Sequence, residues 1–358
     1  MTIPLTFDFT PALIALDPHH RYTATPLSGG LVNITVRIHI SSTTEEHECA
    51  FAHANSVIEA RALALLSQPS LNAYTQSVVT TPKLIHHNPD LNILLMSDLG
   101  DAPTLDQWLC SDSVKDLDLD VIADVGRQFG EFFAHLGNIY KRPKTLEETS
   151  LDLAKHFFNP ATLSFVRDNV ILGVESNLLK CGIDPTDASA LGKICLEAHE
   201  RKQKPTTSKV FGLGDCWPKS LLIGRNLELG VVDWEFAGVV EPLADLAQIS
   251  AHLYLLYQTS SVEVKPRVKA YTSAMLRAHY AQSPRWQYVS QHRVDAWVLL
   301  GQEVVNNAVE TNWWGEDEAR RQVQMKELVK SGSHFIRGAR KRGAEEGALF
   351  EELFEELG

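Results

Sequence analysis

The chain has 358 residues, 44% of them hydrophobic and 22% charged, which predicts a soluble globular protein long enough for two hydrophobic cores. Its formal net charge of −12 at pH 7 argues against nucleic acid and anionic membranes as partners, because phosphate groups are bound by basic faces. The N-terminal stretch MTIPLTFDFTPALIAL lacks the features of a signal peptide, and no apolar run is long enough to span a bilayer. The 5 cysteines form no CxxC pair, so we expect reduced thiols in a cytoplasmic protein.

The first hundred residues are typical of a small β-rich unit. Residues 22–54 predict two strands joined by a Gly-Gly turn, followed by a third strand. The stretch NSVIEARALALLS then has the apolar spacing of a helix. The stretch TTPKLIHHNPDLNILLMSDLG predicts a hairpin with an Asn-Pro-Asp turn. Five strands and one helix are therefore expected before Gly100.

Helical patterns dominate the rest of the chain. The stretch DLDVIADVGRQFGEFFAHLGNIY predicts an amphipathic helix, and residues 151–200 and those after Pro242 are mostly helical in pattern. We predict an α+β fold with a small β-rich lobe over residues 1–100 and a larger helical lobe over residues 101–358.

Two features of the N-terminal part are typical of phosphate-binding proteins, although each has an ordinary alternative. The turn in PLSGGLVNITVRI would let backbone N–H groups approach phosphate oxygens, but a Gly-Gly turn is more often only a turn. Glu59 on the predicted helix could point inward, whereas most helical glutamates are simply solvated.

Two aspartates flank a short apolar hairpin in GLGDCWPKSLLIGRNLELGVVDWEFAG. Asp215 lies before the hairpin and Asp233 just after it, so both carboxylates are expected at one end of that hairpin. One carboxylate could accept a proton from a hydroxyl, and the other could hold magnesium. The alternative is that both aspartates are turn formers.

In this order, the motifs resemble the aminoglycoside and choline kinase type of phosphotransferase, a protein-kinase-like family, and in particular its fungal small-molecule kinases. The resemblance spans roughly residues 27–320. It rests on the stretches LSGGLVNITVRI, SVIEARALAL, ILLMSDLG, GDCWPKSLLI, VVDWEFAGVVEPLADLA and NWWGEDEA.

The resemblance implies ATP and Mg²⁺ as cofactors, a small-molecule hydroxyl as acceptor, and a nucleotide-binding N-terminal lobe. It implies that Asp215 is the catalytic base, that Asp233 holds magnesium, and that Asp245 braces the catalytic loop. The residues implied to surround the nucleotide are those of the glycine loop, the interlobe linker and the helix: Ser28, Gly29, Gly30, Asn33, Met96, Ser97, Asp98, Leu99 and Glu59.

This chain departs from the family pattern at two positions. Ala52 stands where the family has the lysine that binds the α and β phosphates. Ser220 stands where the family has the asparagine that binds the second metal ion. Losing a lysine–phosphate contact would cost about 1.5–3 kcal/mol of binding. A serine hydroxyl can still ligate magnesium. Lys219 could reach a phosphate instead, although a solvated surface lysine is the more ordinary interpretation.

Two functions remain open from the sequence. The first is ATP- and Mg²⁺-dependent phosphotransfer with a degenerate nucleotide site, with Trp217 either stacking on a flat acceptor or packing beneath the loop. The second is a non-catalytic kinase-like binding protein, or the fold used for other small-molecule chemistry.

The acidic end, EEGALFEELFEELG, predicts an amphipathic helix that docks on the body or on a partner. The sequence predicts no oligomeric state.

Overall fold

The computed structural model describes residues 13–14, 21–26, 36–41, 46–53, 56–68, 79–139, 152–203, 209–311 and 318–354. Five strands of the N-terminal part form one antiparallel sheet in the order β1-β2-β3-β6-β5. They are β1 (Arg21–Pro26), β2 (Val36–Ser41), β3 (Glu46–His53), β5 (Leu84–Asn88) and β6 (Ile93–Ser97). The five predicted strands are present, the structure adds a short strand, β4 (Val79–Thr80), that was not predicted, and helix α1 (Ser56–Leu66) follows β3 as expected.

Local chemistry explains how this sheet forms. Val36 and Ile38 are buried two residues apart on β2, as the alternation of a strand requires. The β5–β6 turn begins at Asn88, whose side-chain oxygen accepts hydrogen bonds from the N–H groups of Asp90 and Leu91. In β3, Ala52 is paired with Leu94 of β6.

Short strands flank the loops that contain Asp215 and Asp233. Strand β4 (Val79–Thr80) runs parallel to β9 (Leu229–Val231), which pairs antiparallel with β8 (Leu221–Ile223). Strand β7 (Val210–Gly212) pairs antiparallel with β10 (Gly238–Val240). The hairpin predicted between Asp215 and Asp233 is therefore the β8–β9 pair.

The remainder of the described chain is mainly helical, which confirms the α+β class with a larger helical C-terminal lobe. Its α-helices are α2 (Leu105–Cys110), α3 (Leu119–Asn138), α4 (Leu153–His156), α5 (Pro160–Phe165), α6 (Gly173–Lys180), α7 (Pro185–Gln203), α8 (Ala244–Thr259), α9 (Lys265–Gln282), α10 (Ser290–Glu310) and α11 (Glu318–Gly343). A π-helix (Val166–Ile171) joins α5 to α6.

Helices α3 and α9 pack with their backbones in close approach. A Cβ atom added to Gly126 would lie 2.1 Å from the carbonyl oxygen of Tyr271, and one added to Gly130 would lie 2.2 Å from that of Met275. Phe129, between the two glycines, is fully buried. The predicted amphipathic helix thus forms, and Gly126 and Gly130 set its distance from α9.

The end of the chain differs from the prediction of an amphipathic helix. Helix α11 ends at Gly343, and a turn then leads to a 3₁₀-helix over Glu351–Phe354. Gly347 and Phe350 have positive φ angles of 109° and 67°, which an α-helix does not accommodate. Phe350 and Phe354 are buried against the body, so this segment docks on its own chain.

No helix among the described residues is both long and apolar enough to cross a membrane. Four cysteines are free thiols in the described part of the chain: Cys110, Cys181, Cys195 and Cys216.

Candidate active site

The loop that carries Asp215 is anchored by a partly buried carboxylate. Strand β7 ends at Gly212, and the next two backbone N–H groups, of Leu213 and Gly214, donate to the carboxylate of Asp245 at 2.7 and 2.9 Å. Asp245 lies in the first turn of α8, and burial raises its pKa while the two N–H groups oppose that rise. The predicted bracing contact of Asp245 is therefore present.

Asp233 follows β9 in a conformation that is unusual for its residue type. Its φ angle is 69°, in the left-handed region. Its Oδ2 atom accepts a hydrogen bond of 3.3 Å from the indole N–H of Trp217. The loop of Asp215 approaches the same segment closely, because a Cβ atom on Gly214 would lie 2.1 Å from the carbonyl oxygen of Phe236. Gly214 itself has φ +84°.

The two aspartates influence each other electrostatically. Burial, followed by the charges of Asp233 and Asp245, raises the pKa of Asp215 to about 7. Burial also raises the pKa of Asp233, which the indole N–H of Trp217 partly offsets. The structure thus brings the predicted base and the predicted metal ligand together, at the end of β8–β9 where the sequence placed them.

Ser220 is fully buried at the end of a 3₁₀-helix over Pro218–Ser220. Its hydroxyl donates to the backbone carbonyl oxygen of Asp215 at 3.5 Å, and its own carbonyl oxygen accepts from the N–H of Val232 at 3.0 Å. Ser220 therefore links the loop of Asp215 to the strand that leads into Asp233. Its hydroxyl oxygen keeps lone pairs that a cation could use.

Glu59 points into the protein rather than into solvent, with 3% of its surface exposed. Its Oε1 atom accepts a 3.3 Å hydrogen bond from the backbone N–H of Trp234, 175 residues later in the chain. Burial, followed by the charge of Asp233, raises the pKa of Glu59 to about 8. Among the described side chains, no lysine or arginine forms an ion pair with it.

The linker predicted to bind the nucleotide base contacts the five-stranded sheet and the β4-β9-β8 sheet. The side chain of Met96 is buried, and the Ser97 N–H is taken by the carbonyl oxygen of Lys83 at 2.9 Å. Asp98 forms an ion pair with Arg37 of β2. A Cβ atom on Gly230 would lie 3.1 Å from Leu99 Cδ1, so Leu99 lies against β9.

Arg37 holds this linker to the sheet. Besides its contact with Asp98, its Nη1 atom lies 2.5 Å from Asp101, and these two partners raise the pKa of the guanidinium. Arg37 is thus engaged with the linker.

Lys219 and Trp217 lie beside each other at the rim of the loop. Lys219 is exposed, with its Nζ atom 5.1 Å from the centroid of the Trp217 ring. The centroid of the His252 ring lies 6.1 Å from the centroid of the Trp217 ring. Burial, followed by the charge of Lys219, lowers the pKa of His252 to about 4. Trp217 is half-buried. Its ring lies beside His252 and Lys219, and its indole N–H donates to Asp233.

The predicted glycine-loop residues Ser28, Gly29, Gly30 and Asn33 lie outside the described residues.

Sequence reasoning missed Glu303 on α10. This glutamate is 9% exposed, and burial followed by the charge of Asp215 raises its pKa to about 7, against the hydrogen bond from Asn307 and the charge of Lys202. Glu303, Asn306, Asn307 and Glu310 follow helical spacing within the otherwise apolar stretch VLLGQEVVNNAVE. That polar stripe was the available signal, because polar residues on a buried helix face require partners.

This chain is similar in sequence to known phosphotransferases and kinases. The model of the phosphotransferase enzyme family matches residues 59–280. The 4-hydroxytryptamine kinase of Psilocybe cyanescens is 22% identical over 331 residues, covering 86% of this chain and 84% of the relative. That of Psilocybe cubensis is 22% identical over 356 residues, covering 91% of each protein. Among solved structures, the streptomycin–ATP–APH(2″)-IIa ternary complex aligns with a TM-score of 0.49 and 12% identity, covering 94% of this chain and 99% of that chain.

The region matched by the family model begins at Glu59, contains Asp215, Asp233 and Asp245, and covers more than half of the chain. The chain therefore belongs to the phosphotransferase enzyme family.

Proposed function

We propose that this protein transfers the γ-phosphoryl group of ATP, bound with Mg²⁺, to a hydroxyl group of a small molecule. The observation that carries the proposal is the pairing of two partly buried carboxylates, Asp215 and Asp233, on segments that Ser220 links, with Asp245 anchoring the loop of Asp215. A site that holds excess negative charge away from water is typical of chemistry rather than of packing.

Each carboxylate has its own role in the proposal. Asp215 accepts the proton of the acceptor hydroxyl as the hydroxyl oxygen forms the new bond to the γ-phosphorus, and the bond from that phosphorus to the oxygen of the leaving ADP breaks. Asp233 would hold Mg²⁺, with Ser220 Oγ as a second oxygen ligand, and the bound ion would neutralise charge on the phosphates. Carboxylate and hydroxyl oxygens are the hard ligands that Mg²⁺ prefers. No group of three or more metal-ligating side chains occurs among the described residues, so the phosphates and water would complete the coordination.

The proposed nucleotide site lacks the positively charged side chain that the family pattern has at position 52. We propose that Ser28, Gly29, Gly30, Asn33 and the linker Met96–Leu99 surround the nucleotide, while Ala52 contributes no charge. The consequence is weaker ATP binding, by about 1.5–3 kcal/mol for the absent charge-assisted contact.

We further propose that the acceptor carries an amine as well as a hydroxyl. Glu303 lies close enough to Asp215 for the charge of Asp215 to disfavour the charged form of Glu303, so a cation bound near both would relieve the repulsion. The two curated relatives are named for 4-hydroxytryptamine, a compound with both groups. Trp217, half-buried at the rim, would pack against a flat acceptor.

The test is ADP release with matched acceptors: a hydroxylated arylalkylamine and the same hydroxyl compound without its amine. Asp215→Asn should lower kcat by about 10²–10⁴, because the proton acceptor is lost. Glu303→Gln should raise KM for the amine roughly tenfold or more, and should leave KM for the amine-free compound unchanged. An Asp215→Asn variant with the wild-type rate contradicts the proposal.

One observation favours a second candidate, a non-catalytic nucleotide- or small-molecule-binding protein. Glu59 has no cationic partner among the described side chains, and Ala52 supplies none. That candidate predicts no ADP release with any acceptor and no dependence of ligand binding on Asp215.

A further inference from the structure

Helix α1 is joined to the C-terminal lobe by two hydrogen bonds from its side chains. Glu59 Oε1 accepts from the backbone N–H of Trp234 at 3.3 Å. Two residues on, Arg61 Nη1 donates to the carbonyl oxygen of His156 at 2.5 Å. Only the first of these bonds reaches the segment that carries Asp233, so the two links differ in what they can position.

No attraction between opposite charges accounts for the location of the Glu59 carboxyl group. The charged groups that face it are Asp233 and Glu235, both acidic, and the described part of the chain offers it no ion-pair partner. Its one recorded polar partner is a backbone amide. Because a buried carboxyl group is costly without a hydrogen bond, this contact is the reason that it is tolerated there.

That amide belongs to the peptide group that sets the orientation of Asp233. The N–H of Trp234 is part of the Asp233–Trp234 peptide plane, so holding it fixes the ψ angle of Asp233. Asp233 has a left-handed φ of 69°, which persists only where the surroundings enforce it. The indole N–H of Trp217 holds the carboxylate of the same residue at Oδ2. Asp233 is therefore held at both its backbone and its side chain.

We propose that Glu59 is a positioning residue for Asp233, which fixes the Asp233–Trp234 peptide through a hydrogen bond and needs no cationic partner for this role. The proposal rests on the proposed function of Asp233 as a magnesium ligand. It assigns to Glu59 a contact with the C-terminal lobe instead of one with the nucleotide.

The direct test is exchange of the Trp234 amide. The chain has 7 tryptophans, so selective ¹⁵N-tryptophan labelling gives few backbone signals, and Trp234→Phe assigns the relevant one. Glu59→Gln keeps an acceptor oxygen, whereas Glu59→Met has similar length and no carboxyl or amide oxygen. We expect exchange at Trp234 to rise at least tenfold in Glu59→Met and to stay within about twofold of wild type in Glu59→Gln.

Arg61→Met is the matched control, because it removes the other link of α1. It should leave exchange at Trp234 unchanged. Equal exchange in Glu59→Met and wild type overturns the proposal, and so does an equal rise in Arg61→Met, since that would report general loosening of α1.

A second readout connects the contact to the metal. The Mg²⁺ concentration for half-maximal nucleotide binding should rise about tenfold in Glu59→Met and should not change in Glu59→Gln or Arg61→Met. A wild type without magnesium-dependent nucleotide binding contradicts the proposed function itself. Equal magnesium requirements in wild type and Glu59→Met contradict the positioning role alone.

Discussion

Three carboxyl groups of the site have pKa values well above the ordinary range, and burial is the largest cause for each. They are Glu59, near 8, and Asp215 and Glu303, each near 7. Such crowding of like charges away from water opposes folding, because the charged form of each group is disfavoured in the native state. The fold tolerates it where a ligand would bring compensating positive charge.

Glu303 should make stability fall as the pH rises. Its folded pKa of about 7 lies above the ordinary 4.5, so the native state binds more protons between these values and loses stability with increasing pH. Asp215 and Glu310 raise this pKa, and Lys202 and Asn307 oppose the rise. Glu303→Gln removes this titration. The fall in the free energy of unfolding between pH 5 and 8 should therefore become smaller, by at most about 3 kcal/mol.

Urea unfolding of wild type and Glu303→Gln at four pH values measures this effect. Glu327→Gln is the control, since this glutamate is exposed and pairs with Lys330. Parallel profiles for wild type and Glu303→Gln would show that the charge of Glu303 is not disfavoured in the folded protein.

At the scale of elements, helices α3 and α9 approach each other closely, and α3 packs against β7, the strand that leads into the loop of Asp215. Gly130→Ala would place a methyl group 2.2 Å from the carbonyl oxygen of Met275, so the helices would have to separate. We expect a loss of roughly 1–3 kcal/mol of unfolding free energy in denaturant titration.

Gly173→Ala on α6 is the matched control, because a Cβ atom there meets nothing within 4 Å. It should stabilise the protein by about 0.4–1 kcal/mol through the unfolded state. Similar changes in both variants would contradict the view that the close α3–α9 contact controls the effect of Gly130→Ala.

The elements that the sequence predicted are those with a local pattern. The five strands, helix α3 and the loop–hairpin–Asp233 arrangement follow from alternation, helical spacing and turn residues within short windows. The contact of Glu59 with Trp234 joins positions 175 residues apart, and the proximity of Glu303 to Asp215 depends on how α10 packs. The polar stripe of α10 marks Glu303, but no local pattern identifies the partner of either glutamate, and only the packing shows it.

The prediction of a C-terminal helix failed for a related reason. The stretch EEGALFEELFEELG has the composition of an amphipathic helix, but Phe350 takes a positive φ so that its ring can enter the core. Burial of a large aromatic side chain outweighs the helical preference of the segment.

At the scale of the molecule, this C-terminal segment closes the helical lobe. The ring of Phe350 meets Trp297 edge to face at 4.6 Å, and Phe354 meets Tyr257 in the same manner at 5.6 Å. Arg293 of α10 donates to the carbonyl oxygen of Gly347 at 2.8 Å. The last described residues are therefore part of the core.

Phe350→Ala should lower the free energy of unfolding by about 3–5 kcal/mol, the usual cost of removing a buried aromatic side chain. Thermal and urea unfolding measure it. Phe158→Ala is the matched control, because Phe158 is 62% exposed and its truncation should change stability by no more than about 0.5 kcal/mol. Equal effects in the two variants would contradict the assignment of the segment to the core.

The central claim is that Asp233 completes a working magnesium–nucleotide site although the chain has Ala52 in place of a lysine. The most direct measurement is the melting temperature with ATP, with and without Mg²⁺, of wild type and Asp233→Ala, because a ligand that binds only the folded state raises it. We expect ATP with Mg²⁺ to raise the melting temperature of the wild type by several degrees and to have no such effect on Asp233→Ala. An unchanged melting temperature in the wild type at millimolar ATP and Mg²⁺ would contradict the claim, and the protein would then be a kinase-shaped protein without a nucleotide site.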